Sequence, residues 1–142
     1  MQPSVSTCRV VRPDDRYRGK QGFEYDGAVS AQRVGSRALC MHLITIPPGG
    51  RAKAHMHESH ESAVYVLSGS ACMWYGSKLE EHLSVKAGDF LYIPAGVPHL
   101  PYNPSPTESC SAVISRTDPN EQESVKLLPE LEALVDQRRP GV

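Results

Sequence analysis

The sequence predicts an all-β sandwich or barrel of short antiparallel strands, with one helix near its C-terminal end. Two observations lead there. Glycine and proline punctuate the chain densely and regularly, at Pro47-Pro48-Gly49-Gly50, Gly69, Gly76, Gly88, Pro94-Ala95-Gly96 and Pro104-Ser105-Pro106. Between them lie apolar or alternating runs of strand length, and only one stretch of the chain has convincing helical periodicity.

The first 37 residues carry the weakest signal. Arg16, Arg18 and Lys20 surround a glycine-broken stretch with few apolar residues beyond Val10, Val11, Phe23 and Tyr25. One or two strands are expected here, added to a sheet edge or crossing to a partner subunit. The strand runs that follow are Leu39–Ile46, Ala63–Leu67, Ala71–Tyr75, His82–Val85, Phe90–Ile93, Val97–Tyr102 and Ala112–Ile114. Connections this short pair neighbouring strands antiparallel. Trp74 and Tyr75 are adjacent, so one is expected in the core and the other at the surface. Near the end, Pro129 sits at a first helical position, and Leu128, Leu131, Leu134 and Val135 form one apolar stripe. That helix is expected to dock on the outside of the barrel.

A chain of 142 residues suits one domain. It divides into an N-terminal arm (1–37), a barrel core (38–118) and a C-terminal helix and tail (119–142). Hydrophobic content of 39%, charged content of 22% and a formal net charge of −1 are ordinary for a soluble globular protein and give no field for nucleic acid. No apolar run approaches the ~20 residues of a membrane span. The opening MQPSVSTCRVVRPDD has no apolar signal core, so the cytoplasm is the expected compartment. Cys8, Cys40, Cys72 and Cys110 are widely spaced, which argues against both a disulfide framework and a thiolate metal site. The last three read as small buried strand residues.

Histidine is not spread evenly. Three of the six fall within His55-Met56-His57-Glu58-Ser59-His60. Strand residues i and i+2 share a face, so His55 and His57 can reach one ion together. Glu61 has the same parity but lies four residues further on, roughly 13 Å if extended, so the chain must bend at Glu58-Ser59-His60 to bring it back. His99 would join from a later strand.

These residues resemble the two motifs of the cupin superfamily. Gly49-x5-His55-x-His57-x3-Glu61, followed by Gly69, is similar to the first motif, and Gly88-x5-Pro94-x-Gly96-x2-His99-x3-Asn103 to the second. Gly69 comes one residue later than the usual glycine, which puts a turn in question rather than a ligand. The resemblance implies a single-domain cupin jelly-roll barrel binding one divalent metal inside through His55, His57, Glu61 and His99. Imidazoles and a carboxylate suit Mn, Fe, Co, Ni or Zn. An octahedral ion with these four ligands keeps two positions open, whereas tetrahedral zinc would be closed.

Other residues are open to two readings. His60 is either a fifth ligand or catalytic base, or, by its opposite parity, points away. Tyr65 shares the parity of Glu61 and either touches substrate or sits in the core. Arg51 and Lys53 share the parity of the histidines; they either face the barrel mouth and favour an anionic substrate, or meet solvent in the loop after Gly49-Gly50. His42 and His82 read as surface or cross-strand residues, and Asn103 as satisfying backbone groups in a turn.

Cupins include isomerases, epimerases, dioxygenases, decarboxylases, lyases and non-catalytic binding proteins, so the fold does not settle the reaction. A complete ligand set favours a metal-dependent enzyme on a small oxygenated substrate. The chain also resembles small bacterial cupins akin to mannose-6-phosphate isomerase, so sugar isomerisation leads, with Glu58, His60 or a metal-bound hydroxide moving the proton. An Fe(II)-dependent dioxygenase and a non-catalytic small-ligand binder are the alternatives. The polar N-terminal region, poorly able to form a core alone, points to a homodimer.

Overall fold

The computed structural model describes residues 7–12, 16–18, 22–121 and 124–138. The outer parts of the expected arm (1–6) and tail (139–142) lie outside them, as does Lys20. Two antiparallel sheets face each other. The six-stranded sheet runs in the order β1 (Arg16–Arg18), β2 (Glu24–Val29), β3 (Cys40–Ile46), β10 (Cys110–Arg116), β5 (Ser62–Ser68), β8 (Phe90–Ile93). The five-stranded sheet runs β11 (Val125–Leu127), β4 (His55–His57), β9 (His99–Tyr102), β6 (Ser70–Tyr75), β7 (Glu81–Lys86). The seven expected runs all appear as strands, within two residues at either end. The N-terminal region supplies β1 and β2, which extend the edge of the six-stranded sheet beyond β3.

Period-2 alternation decides what each strand buries. Along β10, Cys110, Ala112, Ile114 and Arg116 are buried while Ser111, Val113 and Ser115 are half-buried. On β3 the inward set includes Cys40, His42 and Ile46. Between the sheets Phe23, Tyr25, Ile46, Ala52, Val66, Ala71, Cys110 and Ile114 form the main core. A second cluster lies outside the five-stranded sheet, where Ala54, Trp74, Leu79 and Leu100 meet Leu128 and Val135. Val135 belongs to the expected terminal helix, α2 (Pro129–Asp136), and Leu128 is its N-cap; the helix begins on Pro129 and docks on the outside of the barrel. Trp74 is buried in that cluster and Tyr75 is half-buried.

Two elements were not expected. The short helix α1 (Ala31–Val34) is capped by the Ser30 side chain, which accepts from the Arg33 backbone N–H, and ends on Gly35 at φ 72°. Strand β11 pairs with β4 along its whole length. Gly69 forms the β5–β6 turn at φ 74°, and a Cβ there would stand 2.2 Å from the Ser109 carbonyl oxygen. Only glycine fits. Asn103 is buried and donates to the carbonyls of Ile46 (3.1 Å) and Glu108 (2.7 Å) while its side-chain oxygen accepts from Ser105 N–H, so it ties the loop after β9 to β3 as expected.

Candidate metal centre

Strand β4 is three residues long, and its two histidines point into the barrel while Met56 faces α2. His99 opens β9 and is the direct antiparallel partner of His55. The three ring donor atoms lie within 4.8 Å of one another, and all three residues are buried. Ring centroids are 5.2 Å apart for His55–His57, 4.3 Å for His55–His99 and 5.0 Å for His57–His99.

Two backbone carbonyls orient the rings. Nδ1 of His55 lies 2.6 Å from the Lys53 carbonyl oxygen, and Nδ1 of His99 lies 2.9 Å from that of Val97. A carbonyl only accepts, so each Nδ1 carries the proton and each Nε2 lone pair is left for the site. Burial pushes the imidazole pKa values down from 6.5, to about 3 for His55, about 2 for His57 and about 4 for His99. The rings are therefore neutral at physiological pH, the form that ligates. Three buried neutral imidazoles, two of them oriented by backbone carbonyls, fit a divalent first-row transition ion. When bound, such an ion supplies Lewis-acid polarisation of a substrate oxygen and, if it is iron, redox chemistry with O2.

Glu61, expected as the fourth ligand, is not brought into this cluster. It is exposed; its Oε1 accepts a 2.6 Å hydrogen bond from the Tyr92 hydroxyl, and its backbone N–H donates to the Thr117 hydroxyl. Strand parity explains this. On β5 the even positions face inward, so Ser62 and Val66 are buried while Glu61, Ala63 and Tyr65 are exposed. The bend after β4 takes one residue more than the expected spacing. The late Gly69 carries the same one-residue offset, so it was a signal about the ligand register and not only about a turn.

His60 lies buried beside the triad, with its ring 4.6 Å from that of His57 and its Nδ1 3.6 Å from an oxygen of Asp118. Burial lowers its pKa, with Asp118 opposing that shift and Arg116 reinforcing it. Glu58 is exposed in the bend. Tyr65 points outward and its ring lies 4.7 Å from Phe90. Both are exposed, outside the buried histidine cluster.

The side chains of Arg51 and Lys53 are likewise directed elsewhere, although the Lys53 carbonyl holds the His55 ring. Arg51 pairs with Asp136 of α2 at 2.7 Å and approaches Glu132 at 4.0 Å, while Lys53 is exposed. The irregular backbone at residues 52–54 is the reason. Ala52 packs between the sheets, whereas Ala54, two residues on, packs under α2, so parity counted back from His55 fails before it reaches Arg51.

His42, read from sequence as surface or cross-strand, is buried on the inner face of β3. Its Nδ1 is 3.4 Å from Cys40 Sγ, its ring meets Tyr25 edge-on, and burial pushes its pKa down to about 3. His82 is cross-strand, half-buried against Trp74, with Nε2 2.8 Å from the Tyr102 hydroxyl. Arg116, which no motif marked, is buried at the end of β10, where its charge acts on His42, His57 and His60.

The triad lines a cavity of about 80 Å³, with further walls that include Phe23, Ile44, Val64, Val66, Leu91 and Ile93. Among the described residues no helix is long and apolar enough to cross a membrane.

The comparisons agree with this geometry. Quercetin 2,3-dioxygenase of Bacillus subtilis (strain 168) is 36% identical over 97 residues, covering 68% of this chain and 28% of that protein. A proposed sugar phosphate isomerase from Acidithiobacillus ferrooxidans superposes with a TM-score of 0.56 at 26% identity, over 71% of this chain and 65% of its own. The oxalate decarboxylase of Lactobacillus farciminis, solved as a formate complex, has a TM-score of 0.67 at 19% identity, over 84% and 35%, a likeness of fold alone. The chain thus spans less than two thirds of the length of each of these relatives. The family model described as Cupin domain matches residues 42–114, more than half of the chain. Its matched segment holds β4, β9 and all three clustered histidines, and the chain belongs to the cupin family.

Proposed function

We propose that this chain is a metal-dependent enzyme for a small oxygenated substrate, and that O2-dependent cleavage is its best-supported reaction. The observation that carries this is the pairing of a buried three-histidine cluster with a narrow cavity walled mainly by aliphatic and aromatic side chains. Such walls offer few partners for the hydroxyls of a sugar, whose desolvation without hydrogen bonds costs several kcal/mol. They suit O2 and the apolar part of a small enol or ketone. The 36% identity to a dioxygenase over two thirds of the chain supports the same reading.

Sugar isomerisation, which led on sequence alone, keeps one supporting observation. His60 is buried against His57, its ring 4.6 Å away, and its imidazole is able to move a proton. Metal analysis of the purified protein decides between the readings, followed by O2-electrode assays of the Fe(II)-loaded form with small enols and β-diketones. Iron with substrate-dependent O2 uptake supports the dioxygenase. Mn, Co or Ni with aldose–ketose interconversion and no uptake would replace it with the isomerase. A tightly held zinc with neither activity would leave a binding protein.

The same proposal places the enzyme in the cytoplasm, where its thiols, all free among the described residues, would stay reduced. It also makes the enzyme a homodimer. The outer face of the six-stranded sheet exposes Met41, Tyr65, Leu67, Phe90 and Tyr92, with Phe90 81% accessible, an apolar patch that a second copy would cover.

A further inference from the structure

Strands β6 and β9 present two different faces. Met73, His99 and Pro101 line the inner cavity of the triad, while Trp74, Leu100 and Tyr102, one residue on from each, line a second space on the outer side of the same sheet. Among the described residues none lines both, so the sheet separates them. The outer space is a cleft of about 520 Å³, within the range of small-molecule sites. Its floor is aromatic and aliphatic, with Trp74 and Leu100 buried beneath Val135 of α2. Helix α2 closes one side of the cleft, and the loop before β4 closes another.

Two guanidiniums border this floor from different elements, Arg51 from the loop before β4 and Arg138 from just beyond α2. Arg138 lies 4.9 Å over the Trp74 ring, and its two terminal nitrogens donate to the Leu79 and Lys78 carbonyls. Those two bonds hold the guanidinium in place and leave up to three of its five N–H hydrogens for another acceptor. Arg51 donates from Nη1 to Asp136 at 2.7 Å, and Glu132 stands further off at 4.0 Å. Asp136 itself lines the cleft, so the molecule already seats one carboxylate of its own there. That seat is weakly held. The Asp136 side chain is 59% exposed, and an ion pair so open to water contributes little. A ligand carboxylate can therefore take its place on Arg51 while Asp136 turns to solvent, which leaves two cations above an apolar floor.

We propose that this outer cleft is a second binding site, for a small aromatic carboxylate whose anionic head replaces Asp136 on Arg51, with Arg138 as the second cation, and whose ring rests on the floor of Trp74, Leu100 and Val135. The site is separate from the histidine triad and stands whether or not the metal-enzyme reading holds. It gives the anion-binding role expected of Arg51 a place on the back of the sheet instead of at the barrel mouth.

Trp74 is the single tryptophan of the chain, so its emission reports on the cleft directly. The full-length protein, as purified and after removal of metal by EDTA and dialysis, is titrated with benzoate and with its neutral isostere benzamide, and calorimetry counts the sites. Benzoate should change the Trp74 emission saturably, with one site per chain and the same dissociation constant with and without metal, and benzamide should bind about 10-fold more weakly or less. Arg51→Gln should weaken benzoate binding by about 10-fold or more. Asp136→Asn removes the internal competitor and should tighten it by about 2- to 5-fold, a gain that damage to the fold would not produce. Should circular dichroism show Arg51→Gln unfolded, the Asp136→Asn comparison decides alone. No saturable change in emission, equal affinities for benzoate and benzamide, or unchanged benzoate binding in either folded variant would overturn the site. Benzoate binding that vanishes with the metal would place the ligand inside the barrel and overturn it as well.

Discussion

Acidification from pH 7 to 5.5 tests whether the histidines are held as a preformed neutral cluster. His42, His55, His57 and His99 have pKa values pushed by burial to about 3, 3, 2 and 4, against 6.5 when exposed. Below pH 6.5 the unfolded chain therefore takes up protons that the native protein refuses, and stability falls as pH falls. The loss starts near 6.5 and continues toward the native values. At pH 5.5 each imidazole contributes slightly more than about 1 kcal/mol of destabilisation relative to pH 7, and the four together roughly 4–5 kcal/mol, a large part of a typical domain's stability. The sum is insensitive to the individual values, because all of them lie well below 5.5. For a urea slope of about 2 kcal/mol/M, the unfolding midpoint of the metal-free protein should drop by roughly 2–3 M. Metal affinity should behave differently. The folded apoprotein has no protons to displace from His55, His57 or His99 over this range, so the metal dissociation constant should stay flat. An exposed three-histidine site would weaken steeply, by up to about tenfold per ligand for each pH unit below 6.5. Urea melts of apoprotein and a metal titration at both pH values measure the two quantities. A midpoint that does not move, or a metal affinity that collapses by pH 5.5, would refute the neutral preformed cluster.

Three further outcomes are expected. His55→Ala, His57→Ala and His99→Ala should each weaken metal binding by more than about 100-fold in a competitive chelator titration, whereas Glu61→Ala, which removes only the surface contact with Tyr92, should leave it within about twofold. Gly69→Ala should cost about 2 kcal/mol or more in urea unfolding, because it combines a left-handed backbone with a Cβ only 2.2 Å from the Ser109 carbonyl oxygen. Phe90→Asp should convert a dimer into monomers in sedimentation without loss of the circular dichroism spectrum; a wild-type monomer, or a Phe90→Asp dimer, would show that the apolar sheet face has another use.

The legible parts of this fold are those governed by local rules. Glycine and proline mark the strand ends, and the stripe of Leu128, Leu131 and Val135 marks α2, because each effect acts within a few residues. Strand β11 escaped because Val125-Lys126-Leu127 has no pattern of its own and is a strand only through pairing with β4. The site shows the same division. His55 and His57 on a regular strand, and His99 in a second motif, were readable from spacing. Glu61, Arg51 and Lys53 were placed by carrying parity through irregular backbone, at residues 58–60 in one case and 52–54 in the other, where period 2 no longer holds. Trp74 and Arg138 carry no motif in sequence. They meet only through the docking of α2 on the five-stranded sheet, which is a property of the assembled fold.

The way β4 is held also bears on when the site comes into being. Its three residues are flanked by β9 on one side and β11 on the other, and Leu128 N–H further secures the strand by donating to the Ala54 carbonyl. Both β11 and Leu128 belong to the last part of the described chain. As the polypeptide leaves the ribosome, the two β4 histidines emerge well before Val125–Leu127, so their strand gains its second neighbour only once β11 has followed. Metal capture would then be timed to the emergence of β11, and a chain stopped before Val125 would hold β4 through β9 alone.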